Sequence, residues 1–305
     1  SILLEYKFLK STFGARCDLI HLGNEAYTEN LYNSNNEIIG EDVRAYELNT
    51  TMPSWAISWD KSIRSDRRFF GLTTTAYTRA PSNYALAANG IHHGTFRFEQ
   101  GNPNLKPETS FEIRSTIKIS NFTNNLSFEI NSFASLHKGF IHLKPTASFA
   151  PIAHGGQIYA FQATDAFRTG MEMNVNLKNG KSLFKTTSSI LGQWALETGL
   201  GLPFTPPLNL FNSYSHDIRD NLTITLSHRA IAPSYILARN EDFTKGVSLL
   251  GVELNLNSNK GSFNLEVDNL LNRSWLDHIS AYRALGLVTQ GRWWLLSWSK
   301  DLKNN

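Results

Sequence analysis

Cysteine is almost missing: Cys17 is the single one in 305 residues. No disulfide can close within the chain, and no CxxC pair offers a zinc or redox site. Long apolar runs are missing too. None approaches about 18 residues, which excludes a membrane-spanning helix but not membrane strands, whose hydropathy signal is weak. A mean hydropathy of -0.28 fits either case. Charge of one sign is also scarce, with 29 Lys+Arg against 26 Asp+Glu, so nothing suggests a nucleic-acid partner. GxSxG, HExxH and P-loop motifs are absent, as is a GxGxxG leading into a helix. The opening Ser1–Lys7 lacks the basic start, apolar middle and cleavage site of a signal peptide. The expectation is that a leader has been removed or that the chain begins inside a larger protein.

What is present is a period of two. In Met171–Lys178 every odd position is apolar and every even one polar, so a strand here has one greasy and one wet face. Phe111, Ile113, Ile117 and Ile119 alternate with Glu112, Arg114, Thr116 and Lys118. Phe263, Leu265 and Val267 alternate with Asn264, Glu266 and Asp268. Trp55, Ile57 and Trp59 alternate with Ala56, Ser58 and Asp60. Helical stripes are scarce; only Arg239–Gly246 offers a short loop helix.

The pattern predicts thirteen strands, over 2–9, 13–22, 48–60, 67–79, 109–120, 125–143, 168–178, 182–197, 208–218, 221–232, 246–257, 261–271 and 290–300. Very short turns such as Lys178–Lys181, Arg219–Asn221 and Ser258–Gly261 alternate with long connections at 23–47, 80–108, 144–167, 198–207, 233–245 and 272–289. Asn-Gly and related pairs tolerate the positive φ of tight hairpins. Short turns at one end and long loops at the other mark an antiparallel up-and-down transmembrane β-barrel. Single-chain bacterial barrels have even strand numbers, so an odd count predicts missing N-terminal strands and a partial barrel. Trp55, Trp59, Trp194, Trp293, Trp294 and Trp298 fall on or near these strands, as in interfacial girdles. A soluble β-sandwich would also hide one face. Loops beyond about 12–15 residues favour the barrel, because they are uncommon in compact soluble domains.

Two stretches resemble a known family. Thr78–Ser82 followed by Asn89–Glu108 is similar to the "RAPS … NGxHxGTxRFExGNPxLKPE" segment of TonB-dependent receptor barrels. Val267–Ser280 followed by Gly291-Arg292 resembles that family's C-terminal "VxNLLNxxYxDHLSxYR…GR" stretch. Thr169–Glu172 and Pro203–Pro207 are weaker echoes. The resemblance implies that residues 1–305 are the C-terminal part of a barrel of about 22 strands. It also implies that the plug domain and the remaining strands lie outside this chain. The family stops on a terminal aromatic; here a polar tail follows Trp298, which stands in its place.

The implied function is TonB-dependent uptake of a scarce substrate (siderophore-iron, cobalamin or a glycan) across the outer membrane of a Gram-negative bacterium. Its partners would be outer-membrane lipid, an extracellular substrate and, through the plug, the TonB complex. No enzyme activity, cofactor or metal is expected. A small porin-like channel and a soluble secreted sandwich that binds carbohydrate are the alternatives.

Within the motifs, Arg79, Pro81, Glu99, Gly101, Asn102, Pro103, Pro107, Asn269, Asn272, His278, Gly291 and Arg292 are expected to be structural. Each Pro fixes φ and pushes the residue before it out of the helical region, so 102–107 reads as a rigid turn aimed into the next strand. Asn269 and Asn272 suit a strand-to-loop turn. His92, His93, Trp275 and Tyr282 are the outer-loop candidates for substrate contact. Asp277-His278 beside Ser280 looks like part of a catalytic set, but adjacency in sequence does not give triad geometry. Arg114, Lys118, Glu129 and Lys185 are expected on the inward face of the wall.

Overall fold

The computed structural model describes residues 2–8, 11–23, 27–32, 38–44, 47–63, 67–120, 125–150 and 156–300. The strands are β1 (Ile2–Phe8), β2 (Ser11–Gly23), β3 (Tyr27–Tyr32), β4 (Ile38–Arg44), β5 (Glu47–Ile63), β6 (Arg68–Arg79), β7 (Asn89–His92), β8 (Arg97–Gln100), β9 (Glu108–Ile119), β10 (Leu126–Phe149), β11 (Gln157–Asn179), β12 (Ser182–Ala195), β13 (Asn209–Arg219), β14 (Leu222–Ile231), β15 (Val247–Ser258), β16 (Gly261–Asp268) and β17 (Trp293–Ser299). One short helix, α1 (Asn83–Ala87), and a 3₁₀ turn (Ala281–Leu285) complete the set. None of the described helices is long and apolar enough to cross a membrane.

Among the described residues, thirteen strands run in one path: β1-β2-β5-β6-β9-β10-β11-β12-β13-β14-β15-β16-β17. Successive strands on this path are antiparallel, and no pairing joins β1 to β17, so the sheet is not closed. Each predicted strand has a counterpart on the path. A two-sheet sandwich is ruled out by this single continuous wall. The hairpin β3-β4 stands apart as a second, two-stranded sheet. The polar tail 301–305, Ser1 and residues 24–26, 33–37 and 45–46 of the first long loop lie outside the described residues.

Register fixes the two faces. Trp55, Ala76, Phe111, Leu136, Phe167 and Trp194 lie directly side by side across β5, β6, β9, β10, β11 and β12. Trp55 and Phe111 approach to 6.2 Å between ring centroids, and Phe167 stacks on Trp194 at 6.1 Å. Ile57, Trp59, Leu72, Ile113, Met171 and Ile190 continue this apolar face toward the short turns, all of them exposed. One step toward the long loops the row turns polar at Thr78, Thr109 and Lys138. From Leu136 to the start of β10 is ten residues, about 33 Å along the strand and about 23 Å at a 45° tilt. That matches the apolar band of about 25 Å that an outer membrane requires.

The opposite face is polar. Lys118 pairs with Glu129 at 3.1 Å and Arg114 with Glu112 at 2.7 Å. Thr116 donates to Asn131 at 2.8 Å, and Thr187 to Asn174 at 2.9 Å. Lys185, opposite Asn176, shares this face. Gly180 takes φ +56 in the β11–β12 turn, as the Asn-Gly pair requires.

Two expectations are corrected, and one element is new. The connection predicted at 144–167 is mostly strand, because β10 and β11 run to Phe149 and from Gln157. Pro145 disguised the strand in sequence, since proline cannot feed a ladder. It is kept by pairing with Tyr159 and by β8, which adds in parallel to β11 through Ile158↔Phe98 and Ala160↔Gln100. With 24 residues, β10 far exceeds the 9–11 or so that cross a bilayer, so both strands project well beyond the apolar band. A bulge between His137 and Phe140, with Gly139 at φ +68, marks where they leave it. Arg239–Gly246 forms no helix; its polar groups are used in a loop network described below. Helix α1, not foreseen, is seeded instead by Ser82, whose Oγ accepts from the Ala85 N–H.

Candidate functional site

Every long connection leaves the wall from the end beyond the Trp55–Trp194 row, and there the loops are knitted together. Arg79 donates to buried Glu108 at 2.9 Å, and the same carboxylate oxygen accepts from the Ile141 N–H at 3.1 Å. Pro81 is buried and leads into α1, whose Ala85 and Leu86 pack with Leu105 against Leu22, Ile141 and Phe161. Gly101 passes so close to α1 that a Cβ would sit 2.6 Å from the Ala88 nitrogen. Asn102 donates its N–H to Ala85 O at 2.8 Å, and its side chain accepts from the Asn104 N–H at 3.0 Å. Pro103 and Pro107 flank this turn. Glu99, 6% exposed, accepts from the Tyr84 hydroxyl. Burial first, and then that carboxylate, push the Tyr84 phenol up to about 12.

The second motif ties the ends of the 269–292 loop to each other. Asn269, at φ +49, accepts from Arg273 N–H at 2.9 Å and donates to Arg273 O at 2.8 Å. Asn272, at φ +50, accepts from the Arg292 N–H at 2.9 Å. Its side chain lies against Gly291, where a Cβ would be 2.7 Å from Asn272 Oδ1.

Between these knots lies a buried charge network that the sequence did not announce. Glu241, with its side chain 1% exposed, accepts from the Phe204 N–H at 2.9 Å, the Ala238 N–H at 3.0 Å and Arg283 at 3.4 Å. Arg283 also donates to Asp242 O and Thr244 Oγ1, each at 3.0 Å, and to His278 Nδ1. Guanidinium only donates, so Nδ1 must be the acceptor and the His278 proton sits on Nε2, facing Glu241 at 3.5 Å. Burial, and then the Arg283 charge, push the His278 pKa below the ordinary histidine value. Arg97 extends the network: its guanidinium lies over the Tyr159 and Phe204 rings at 4.5 and 4.8 Å and donates to Ala281 O at 3.3 Å. Four outer loops and β11 therefore form one body.

The side chains of Asp277, His278 and Ser280 are not joined to one another as a triad would require. The Ser280 hydroxyl caps the 3₁₀ turn by accepting from the Tyr282 N–H, and Asp277 accepts from the Ile279 N–H. His278 instead engages Thr244 and Arg283 through Nδ1, while its buried Nε2 faces Glu241 at 3.5 Å without a hydrogen bond.

The substrate candidates fall on the loop surface. His92 and His93 are exposed and border a cavity of about 450 Å³ with Tyr84, Glu99 and Gly94. Tyr282, 45% exposed, brings its hydroxyl to 4.0 Å from where a Gly94 Cβ would stand. So His92 and Tyr282 approach each other at Gly94, and His93 borders the cavity beside His92. Trp275 is half-buried and braced by Thr289, which donates twice to its carbonyl. Among the described residues no three His, Cys, Asp or Glu side chains are grouped to hold a metal ion. A second cavity, of about 400 Å³, lies on the wall and includes Arg114, Arg168, Glu172, Pro206 and Pro207.

A protein-family model described as TonB dependent receptor-like, beta-barrel matches residues 4–270. No curated protein matches the chain. Solved structures do. The copper transporter OprC superposes with TM-score 0.74 at 15% identity, over 92% of this chain and 44% of OprC. The ferric-catecholate import receptor Fiu from E. coli K12 gives 0.61 at 14%, over 94% of this chain and 41% of Fiu. The siderophore receptor PirA from Acinetobacter baumannii gives 0.56 at 15%, over 96% and 52%. The chain thus spans about half the length of the proteins it resembles.

Proposed function

The chain belongs to the TonB-dependent receptor β-barrel family, and from that premise we propose that it forms wall and outer loops of an outer-membrane uptake receptor in a Gram-negative bacterium. The family is one of receptors and transporters rather than enzymes. The observation that carries the reading is the two-faced wall. Its apolar face ends at the row Trp55–Trp194, and all the long loops leave from that end. The edges β1 and β17 call for further wall strands, and the polar face suits a plug through which TonB would act.

The substrate is a scarce compound such as a ferric siderophore, cobalamin or a glycan. OprC is a copper transporter, Fiu imports ferric catecholates and PirA is a siderophore receptor; from them comes only the preference for a metal or metal chelate. His92, His93 and Tyr282 would meet it first, with Trp275 alongside.

The test has two stages. In phosphatidylcholine vesicles, brominated acyl chains should quench the wall tryptophans; a monomer that stays soluble without detergent overturns the reading. Ferric siderophores, copper, cobalamin and oligosaccharides are then titrated onto the inserted protein. Ala at His92 and His93 should weaken whichever binds. Unchanged affinity removes those residues from the site.

A further inference from the structure

Just above the apolar face, outside the wall, is a basic cleft that substrate uptake does not explain. It lies between the rigid 102–107 turn and the outer ends of β9, β10 and β11, and holds about 740 Å³. Lys106 and Lys138 line it, with Asn104, Thr109, Gln162 and Asp165. Both lysines are exposed, and neither has an ion-pair partner among the described residues. Asp165 is already engaged, its Oδ1 accepting from the Gly139 N–H at 2.9 Å. Two cations against one carboxylate leave the cleft positive.

Its position decides what it takes. Lys138 pairs with Thr109 in the register, one step beyond Leu136↔Phe111, and so points to the apolar side of the wall. Leu136 is 53% and Phe111 42% exposed immediately below. The cleft therefore stands where the hydrocarbon ends and the headgroups begin, on the long-loop side. We propose that it binds the phosphorylated headgroup of an anionic outer-leaflet lipid, with the acyl chains lying down the Phe111–Leu136–Phe167 surface. An ammonium is a compact point charge suited to phosphate, and the amides of Asn104 and Gln162 can donate to the remaining oxygens. A free anion would gain nothing from the apolar surface below; a lipid uses both. The 102–107 turn, held to α1 through Asn102 and Gly101, keeps Lys106 in place without a bound ligand. The inference rests on the orientation of the wall and not on any substrate.

The experiment uses the chain in phosphatidylcholine bilayers containing an increasing share of a phosphorylated anionic lipid with brominated chains, read by tryptophan quenching. The anionic lipid should be preferred, and Lys106→Gln with Lys138→Gln should lower that preference about thirty-fold, at about 1 kcal/mol per surface charge. Lys178→Gln, on the polar face, should leave it unchanged. In the unaltered chain the preference should weaken as salt rises. An equal preference in the double variant, a salt-independent preference, or displacement of the lipid by inorganic phosphate overturns the assignment. Absence of quenching by brominated phosphatidylcholine alone overturns the barrel reading instead.

Discussion

Replacing Glu241 by Gln tests whether the outer loops are held as one body by charge. The carboxylate is shut away from water, with its side chain 1% exposed, and collects the N–H groups of Phe204 and Ala238 together with the Arg283 guanidinium. Glutamine keeps the shape but offers one acceptor oxygen in place of two. One backbone N–H then faces an NH₂ group, and Arg283 loses its anion. Breaking a buried pair from one side costs about 3–5 kcal/mol, and losing a charge-assisted hydrogen bond about 1.5–3. Because Arg283 keeps Asp242 O and Thr244 as acceptors, the low end applies, about 3 kcal/mol.

At about 1.4 kcal/mol per tenfold, that raises the opening equilibrium of the network more than a hundred-fold. Hydrogen exchange at the Phe204 and Ala238 amides reads it directly, since both are bonded to the altered group. Their protection should fall by that factor while amides in β11 and β12 keep theirs. Adding Arg283→Met should restore part of the loss, because the cation left unpaired is removed. Protection that changes by less than about threefold would refute the charge network as the lock.

Acid should loosen the same loops. The His278 pKa is lowered in the fold, by burial first and then by Arg283, so the opened loop takes up a proton that the closed one refuses. Stability is then full above the ordinary histidine pKa of about 6.5 and falls as the pH drops below it; exchange protection of the Thr244 amide, compared at neutral and mildly acid pH, should show this decline and lose it in His278→Gln. Gly101→Ala places a methyl 2.6 Å from the Ala88 nitrogen and 2.8 Å from the Ala87 nitrogen, contacts that no side chain can relieve. It should cost about 1–3 kcal/mol and expose the 80–107 segment to limited proteolysis; unchanged cleavage would speak against tight docking of α1. Leu72→Arg should destabilise the vesicle-inserted protein by about 2–4 kcal/mol in denaturant unfolding, whereas Thr73→Arg on the polar face should change little. Equal effects would mean the faces are assigned wrongly.

The wall was legible in the sequence because its determinants are local. A strand's faces are written in consecutive residues, and Asn179-Gly180 declares its own turn. Even the polar pairs of the wall, Lys118 with Glu129 and Thr116 with Asn131, follow once neighbouring strands are aligned. The motif residues were legible only as motifs: Asn272 and Gly291 were singled out, but not that each needs the other's position. The outer part of β10 and β11 was not legible, since the strand that accompanies them, β8, comes from another loop. Helix α1 was missed because its five residues are too few to show a period; Ser82 as an N-cap was the available signal.

The lock escaped for a different reason. Arg283 reaches Glu241 across 42 positions, and Arg97 reaches Ala281 across 184. Neither separation leaves a local pattern, and a charge in a long polar loop reads as solvated until its partner is found. This division has a functional consequence. The wall is specified by alternation that many residues satisfy, so the bilayer constrains type more than identity. The outer loops are specified by particular pairs whose loss strands a buried charge. Substitutions at exposed positions such as His92, His93 and Tyr282 leave those pairs intact. The surface proposed to meet a substrate can therefore change while the scaffold presenting it stays closed.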